Sequence, residues 1–338
     1  MTKFRWFLII CVAGLTGLII HGSITVEKQN IIKVTAPLNR DHPTASSLLV
    51  FKEKMEEFSN GEFEVRIFFD SQLGSADQTL NLARMGDVEM ALISSAVMVP
   101  YVHEINAIAM PFIWEGSEHQ RRVLDGEVGD RLRRYARPKG IEILGFLDSG
   151  TRNISNSRRP IEKPEDLQGM NIRVMGQPLM FATMGAIGAS AMSLNMGEVY
   201  TGLQMGVVDG WENNPTTIAS YRMWETGTVY YSWTHHLSLP DLLIAGRPFI
   251  DSLTEEQMRW VTEAVEATIQ VQRELWEMSE KLSIRRMEEA GMIINDVDLE
   301  SFRARVQPLY EQYFLKYGDE FTDLVALIQM EQQQHYDR

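Results

Sequence analysis

From residue 31 onward the apolar positions switch between two periods. Ile31 to Ala36 is an apolar-rich run of strand length, and Phe63, Val65, Ile67 and Phe69 alternate with polar residues as a half-buried strand does. Between these runs, Leu48, Phe51, Met55 and Phe58 recur at helical spacing. That spacing predicts a helix entered from the loop Asn39 to Pro43, capped by Thr44 and closed at Asn60-Gly61. A second helix is predicted over Ala76 to Met85, ending at Gly86, with further strands over Val88 to Ile93 and Ile141 to Leu147. Strand and helix in this order predict an α/β layered domain with a largely parallel sheet. Ligands of such folds sit beyond the carboxyl ends of the strands, where the loops Asn39 to Pro43 and Ser94 to Ala96 fall.

A second α/β unit is predicted from about Gly150. It holds a short strand Ile172 to Val174, a helix opened by Pro178, a helix over Glu198 to Met205 closed by Gly206, and a strand Val229 to Trp233. The longest helical pattern runs from Leu253 to Ala290. Thr254 and Gln257 form a capping-box pair, followed by an apolar stripe of Met258, Val261, Val265, Ile269, Leu275, Met278 and Leu282. Unbroken, this helix would extend about 55 Å at 1.5 Å per residue, longer than one small domain, and it is expected to bridge two.

Composition narrows the class. With 338 residues, 44% apolar and 23% charged, the chain has the material for two soluble globular domains. A net charge of −14 argues against a nucleic-acid partner, which would need a basic face. Lys3 and Arg5 precede an uncharged run from Trp6 to Ile20, then His21, Gly22 and Ser23. Residues 1–23 read as an export signal, with an uncleaved anchor as the alternative, because no A-x-A precedes Ile24. Cys11 is the only cysteine and lies inside that run, so a chain cleaved near residue 23 has neither disulfide nor thiol nucleophile. Cleavage would leave 30 cations against 46 acids, a charge of −16. A protein that acidic must concentrate positive charge locally if it is to hold an anion.

The stretch from Gly150 to Pro215 carries the candidate chemistry. It contains GTRN with Arg152, NIRV with Arg173, and VVDGWENNP with Trp211, Glu212, Asn213 and Asn214. A guanidinium in an apolar strand is costly to bury without an anion, and its planar fork matches a carboxylate. Arg173 therefore reads either as a carboxylate receptor or as half of an internal salt bridge to an acid such as Asp166. Asn213 and Asn214 read as ligand-facing amides or as a turn before Pro215, and Trp211 as an apolar wall. Asn39, Asp41 and His42 follow the first strand, where His42 could meet a hydroxyl or a carboxylate. Met192 and Met196 lie before Glu198, lining a cleft or packing in the core. No G-x-S-x-G or H-E-x-x-H motif occurs, and the tandem His235-His236 has no further ligand at metal spacing. No enzyme activity, metal or cofactor is expected.

Taken together, these segments resemble a known family. SQLGS (Ser71 to Ser75), RMGDVEMALIS (Arg84 to Ser94), GTRN, PEDLQGMNIRV, GEVYTGLQMGVVDGWENNP and THHLSLP occur in the order found in solute-binding proteins of tripartite ATP-independent periplasmic (TRAP) transporters. The resemblance runs from about Ile31 to Met330 and implies a two-domain periplasmic binding-protein fold with hinge strands and a domain-spanning helix. It implies domain I over residues 27–149 and 239–278, and domain II over 150–238 and 279–338. It also implies Arg173 as the bidentate carboxylate bridge, Arg152 as a second cationic contact, Asn213 as a positioning amide and Met196 as a packing contact. Ser94, Asn39 and His42 would complete the site from domain I, with Trp211, Asn214 and His236 nearby.

Two departures refine the expectation. Ala189-Ser190-Ala191-Met192 stands where many relatives carry a proline turn, and Ser94 stands where the sialic-acid branch carries an acid. The double Asn of ENNP resembles the branch that takes sugar acids such as uronates and aldonates. The expectation is an exported monomer that closes on a small organic acid and delivers it to a two-part membrane permease. A periplasmic enzyme acting on sugar acids and a sensory binding subunit are the rival readings.

Overall fold

The computed structural model of the protein describes residues 30–336, so the expected export signal and Cys11 lie outside the described residues. Among the described residues no helix is long and apolar enough to cross a membrane. The chain opens with β1 (Asn30–Thr35), α1 (Pro43–Phe58), β2 (Phe63–Phe68), α2 (Ala76–Met85) and β3 (Met90–Ser94). Two short 3-10 segments follow, then α3 (Ser117–Asp125), α4 (Glu127–Ala136) and β4 (Ile141–Leu147). The chain then crosses into β5 (Arg152–Asn156), β6 (Asn171–Val174), α5 (Pro178–Ala186), β7 (Ser190–Ser193), α6 (Met196–Gln204), β8 (Gly210–Asn213), α7 (Pro215–Ser220) and β9 (Tyr230–Leu237). It crosses back into β10 (Asp241–Gly246) and α8 (Arg247–Ile250), runs along α9 (Glu255–Glu289), and finishes with β11 (Ile293–Asp296), α10 (Leu299–Tyr317) and α11 (Asp319–Tyr336).

Local chemistry accounts for most of these boundaries. Ser75 and Gln78 form a capping box at the start of α2, and Gly86 ends it in the left-handed conformation at φ 85°. Thr254 and Gln257 open α9 in the same way. The cap of α1 is His42 rather than Thr44: its Nδ1 accepts from the Thr44 backbone N–H, and Pro43 takes the first helical position.

Two sheets result. The first has the order β2-β1-β3-β10-β4 and the second β11-β9-β5-β8-β6-β7. The first is mixed rather than largely parallel. β1 runs parallel to β2 and β3, but β10 is antiparallel to both β3 and β4. β10 arrives from the other lobe, and that return sets its direction. In the second sheet, β8 lies so close to β5 that a Cβ on Gly210 would come within 2.4 Å of the Ser155 carbonyl oxygen, which excludes any side chain there.

The 35 residues of α9 extend about 52 Å. The helix packs on α1 in the first lobe and on α7 in the second. Its buried face rolls along its length, from Val261, Ala264 and Val265 to Thr268, Gln272 and Trp276, then Ser283 and Met287. Met278 and Leu282, expected in the stripe, are exposed at 63% and 47% because the partner surface changes from one lobe to the other. Gln272 pins the crossing between β4 and β5: it accepts from the Asp148 N–H (3.0 Å) and donates to the Asp148 carbonyl (2.9 Å). The C-terminal helix α11 returns to the first lobe. Its Phe321, Leu324, Val325 and Ile328 join the core of Val123, Leu124 and Leu132. The described elements thus place α11 against the first sheet's helices, where 279–338 was expected to belong with the second unit.

Candidate functional site

A cavity of about 190 Å³ lies between the two sheets, at the ends of their strands. That size suits one small molecule rather than a polymer. Four helices begin at its wall: α1 at His42, α2 at Ser75 and Ala76, α5 at Gln177 and Pro178, and α6 at Asn195 and Met196. Their positive ends add to any side-chain cation there and favour an anion. Among the described residues no group of three or more His, Cys, Asp or Glu side chains is placed to hold a metal ion.

Arg173, in the middle of β6, reaches this cavity and is 3% exposed. Nε and Nη2 both donate to the Leu194 carbonyl, with Nε at 2.8 Å. This clamps the guanidinium plane, while no carboxylate among the described residues lies within the 4.0 Å of an ion pair. The alternative partner, Asp166, instead accepts from the Glu162 and Lys163 N–H groups of its own turn. Burial pulls Arg173 down to about 10, with the charges of Glu212 and Glu198 acting the other way, so it remains a cation at neutral pH. Asn213 lines the same cavity. Its Oδ1 accepts from the Asn214 N–H (2.9 Å) and Nδ2 (3.1 Å), which leaves its own Nδ2 as a donor without a protein partner. A clamped cation and an oriented amide therefore share one wall.

Arg152 also borders the cavity, and one edge of its guanidinium is engaged by Glu212. Nε and Nη2 grip the carboxylate of Glu212, and Nη2 also donates to the Glu212 carbonyl at 2.9 Å. The internal salt bridge considered for Arg173 thus belongs to Arg152, which borders the cavity with its Nη1 outside that pairing. Burial alone would raise the fully buried Glu212. The charge and hydrogen bonds of Arg152 outweigh it and hold the carboxyl below the usual carboxylate range. His236 is fully buried behind this pair, 3.8 Å from Glu212, with Nδ1 against Thr234 Oγ1 at 2.8 Å. It does not reach the cavity.

Two other candidates also lie elsewhere. Trp211 is fully buried among Val199, Ile218, Tyr231 and Met287, making core rather than a ligand wall. Asn214 caps α7, accepting from the Thr217 N–H at 2.7 Å and donating to the Ser149 carbonyl at 2.9 Å.

The groups expected from the first lobe bridge the lobes instead. His42 borders the cavity but accepts on Nδ1, so its Nε2–H donates to Thr217 Oγ1 in α7 at 3.1 Å. Burial lowers its pKa to about 3, so the ring is neutral. Asn39 stands outside the cavity wall. Its backbone N–H donates to the Tyr221 hydroxyl (2.9 Å) and its Nδ2 to the Ser220 carbonyl (3.2 Å). Gln177 Nε2 adds a third bridge, to Asn106 Oδ1 at 3.1 Å. Ser94 and Met196 do line the cavity, and the Ser94 hydroxyl is buried without a partner.

One liner escaped the sequence reading. Asp241 opens β10, opposite Ser94 in the ladder, and is 8% exposed. The signal was an acid standing before the apolar run Leu242 to Gly246. Burial raises its pKa from 3.8 to about 7, with the Arg152 charge pulling down. The folded protein therefore holds this proton more tightly than the unfolded chain. The stabilisation is complete below pH 3.8 and is lost as pH rises to about 7. Relative to Asp241→Asn, the ligand-free protein should melt lower at about pH 8 than at about pH 5. A difference in melting temperature that does not change with pH would exclude this burial effect.

Comparison with known proteins agrees with this geometry. The solute-binding protein of Chromohalobacter salexigens is 32% identical over 289 residues, covering 85% of each chain. A TRAP periplasmic solute-binding protein from Chromohalobacter salexigens, solved with bound D-glucuronate, superposes with a TM-score of 0.86 at 30% identity, covering 89% of this chain and 99% of that one. One from a Sulfitobacter species, solved with β-D-galacturonate, gives 0.85 at 32% identity, covering 88% and 99%. Residues 35–317 match the family described as DctP, bacterial extracellular solute-binding protein, family 7. A cavity between two sheets with a clamped cation in its wall, in a fold shared with these binding proteins along nearly its whole length, belongs to a protein that captures solutes rather than transforms them, and the chain is a member of the DctP family of extracellular solute-binding proteins.

Proposed function

We propose that this protein is the solute-binding subunit of a TRAP transporter and that it captures a hexuronate, with D-glucuronate and D-galacturonate as the leading candidates. The observation that carries the reading is Arg173: a buried, clamped cation facing a small interlobe cavity and in ion-pair contact with no acid among the described residues. The ligand carboxylate takes the outward edge of that guanidinium and the Nδ2 of Asn213, and Met196 packs against the carbon skeleton. Two relatives at 30% and 32% identity hold uronates. The bound anion contacts both lobes, so it favours the closed arrangement, and the bridges from His42, Asn39 and Gln177 add to it. Residues 1–23 direct export, the chain works as a periplasmic monomer, and the closed form docks on its membrane permease.

The test is a thermal-shift series with D-glucuronate, D-galacturonate, D-gluconate and the neutral sugars D-glucose and D-galactose. A ligand at a hundred times its Kd adds about 2.7 kcal/mol. For a chain of this size that corresponds to roughly 4 °C. A uronate should produce a shift of that order, and the neutral sugars none. Shifts with neutral sugars and none with any acid would remove the carboxylate reading.

A further inference from the structure

The cavity has a second pole that the uronate reading does not explain. Asp241 and Ser94 are partners across the β10–β3 ladder, on the first sheet, whereas Arg173 stands on the second. Both line the cavity. The Asp241 carboxyl has no hydrogen-bond or ion-pair partner among the described residues, although the residue is 8% exposed, and the Ser94 hydroxyl oxygen is buried without one. Buried polar groups are nearly always paired. Two unpaired groups side by side in one wall therefore point to partners supplied by the ligand. A carboxylate accepts only, and a hydroxyl both accepts and donates. Together they match hydroxyl groups on a ligand whose other end is anionic. They do not match a second carboxylate, which would meet a like charge in a water-poor site.

Resting on the uronate reading, we propose that Asp241, with Ser94 beside it, is the specificity-determining residue that admits polyhydroxylated monocarboxylates and excludes dicarboxylates. Arg173 takes the ligand's single carboxylate, and Asp241 accepts hydrogen bonds from hydroxyls at the far end. A dicarboxylate of the same length, such as a hexarate, satisfies Arg173 and then places its second charge against Asp241. Asp241 thus sets the number of charges that the cargo carries, a property that Arg173 alone does not control.

Calorimetric titration at about pH 8, where Asp241 is ionised, of the wild type, Asp241→Asn and Ser94→Ala with D-galacturonate, D-galactarate and succinate tests this. The wild type should bind galacturonate and neither dicarboxylate. Asp241→Asn keeps the shape and removes the charge. It should weaken galacturonate about tenfold and raise the galactarate-to-galacturonate affinity ratio at least tenfold. Ser94→Ala should weaken galacturonate without raising that ratio, because no charge has changed. Wild-type binding of galactarate as tight as galacturonate would overturn the proposal, as would an unchanged ratio in an Asp241→Asn protein that melts normally. Either result leaves the uronate reading standing as long as galacturonate binds. Failure of the wild type to bind any uronate would overturn both.

Discussion

Replacing Arg173 with alanine is expected to abolish high-affinity uronate binding while leaving the ligand-free protein as stable as before, or slightly more so. The first half follows from what remains. The ligand carboxylate would still be desolvated on entry and would find the Asn213 amide but no cation. Breaking a buried pair by removing one partner costs about 3–5 kcal/mol, which lowers affinity by roughly two to three and a half orders of magnitude. The second half follows from the empty site. Without ligand, Arg173 holds only the Leu194 carbonyl, and burial already opposes its charge. Removing it takes away an uncompensated buried cation. Arg173→Lys should fall between wild type and alanine, because an ammonium keeps the charge but cannot present a flat fork. Calorimetry on the three proteins, with melting curves taken without ligand, separates the outcomes. Unchanged affinity together with a collapse of the apo melting temperature would mean that Arg173 supports the fold and binds nothing.

Much of this was legible in the chain, and the failures share one cause. Boundaries written in local chemistry came through. The capping pair Thr254 and Gln257 opens α9, Gly86 ends α2, and β4 spans Ile141–Leu147 as its apolar run indicates. Features set by distant pairing did not. β10 reads as one more apolar run, and nothing in Leu242 to Gly246 announces that it enters antiparallel between β3 and β4. β8 is four residues long and buried, so the period-two signal had no room to appear and no strand was expected there.

The two arginines make the same point within the site. Each sits in a short strand of similar composition. Which of them meets an acid is decided by register. Glu212 pairs with Ile154, two residues along from Arg152, so the side chains of Arg152 and Glu212 are diagonal neighbours within reach. Arg173 is aligned with Trp211 instead. That choice depends on a pairing sixty residues away in sequence, and no window around either arginine contains it.

Arg152→Met is expected to show the opposite signature from Arg173→Ala: a large loss of stability that shrinks as pH falls. Glu212 is fully buried, and after the substitution it would keep a histidine at 3.8 Å, whose pKa burial lowers, and the more distant charge of Arg173, neither of them a hydrogen-bonded cation. An unpaired carboxylate there costs about 3–5 kcal/mol, or roughly 4–8 °C in melting temperature for a protein of this size. In the wild type, Arg152 holds the Glu212 carboxyl below its ordinary range. The pair therefore stabilises fully above that range, and the contribution fades only as acid titrates the folded carboxyl. In Arg152→Met burial, the largest influence on Glu212, is opposed only by His236 and the more distant charge of Arg173, and it pushes the same carboxyl upward. The folded variant then binds a proton that the unfolded chain has released. Its stability should rise as pH falls from about 8 toward 5, where the wild type gains nothing from this residue. The double variant Arg152→Met/Glu212→Gln should recover much of the loss at neutral pH, because an amide of the same shape carries no charge to strand. Melting curves of the three proteins across that pH range decide the matter. If Arg152→Met melts within about a degree of wild type at pH 8 and shows no recovery in acid, the buried ion pair is not what holds β5 against β8.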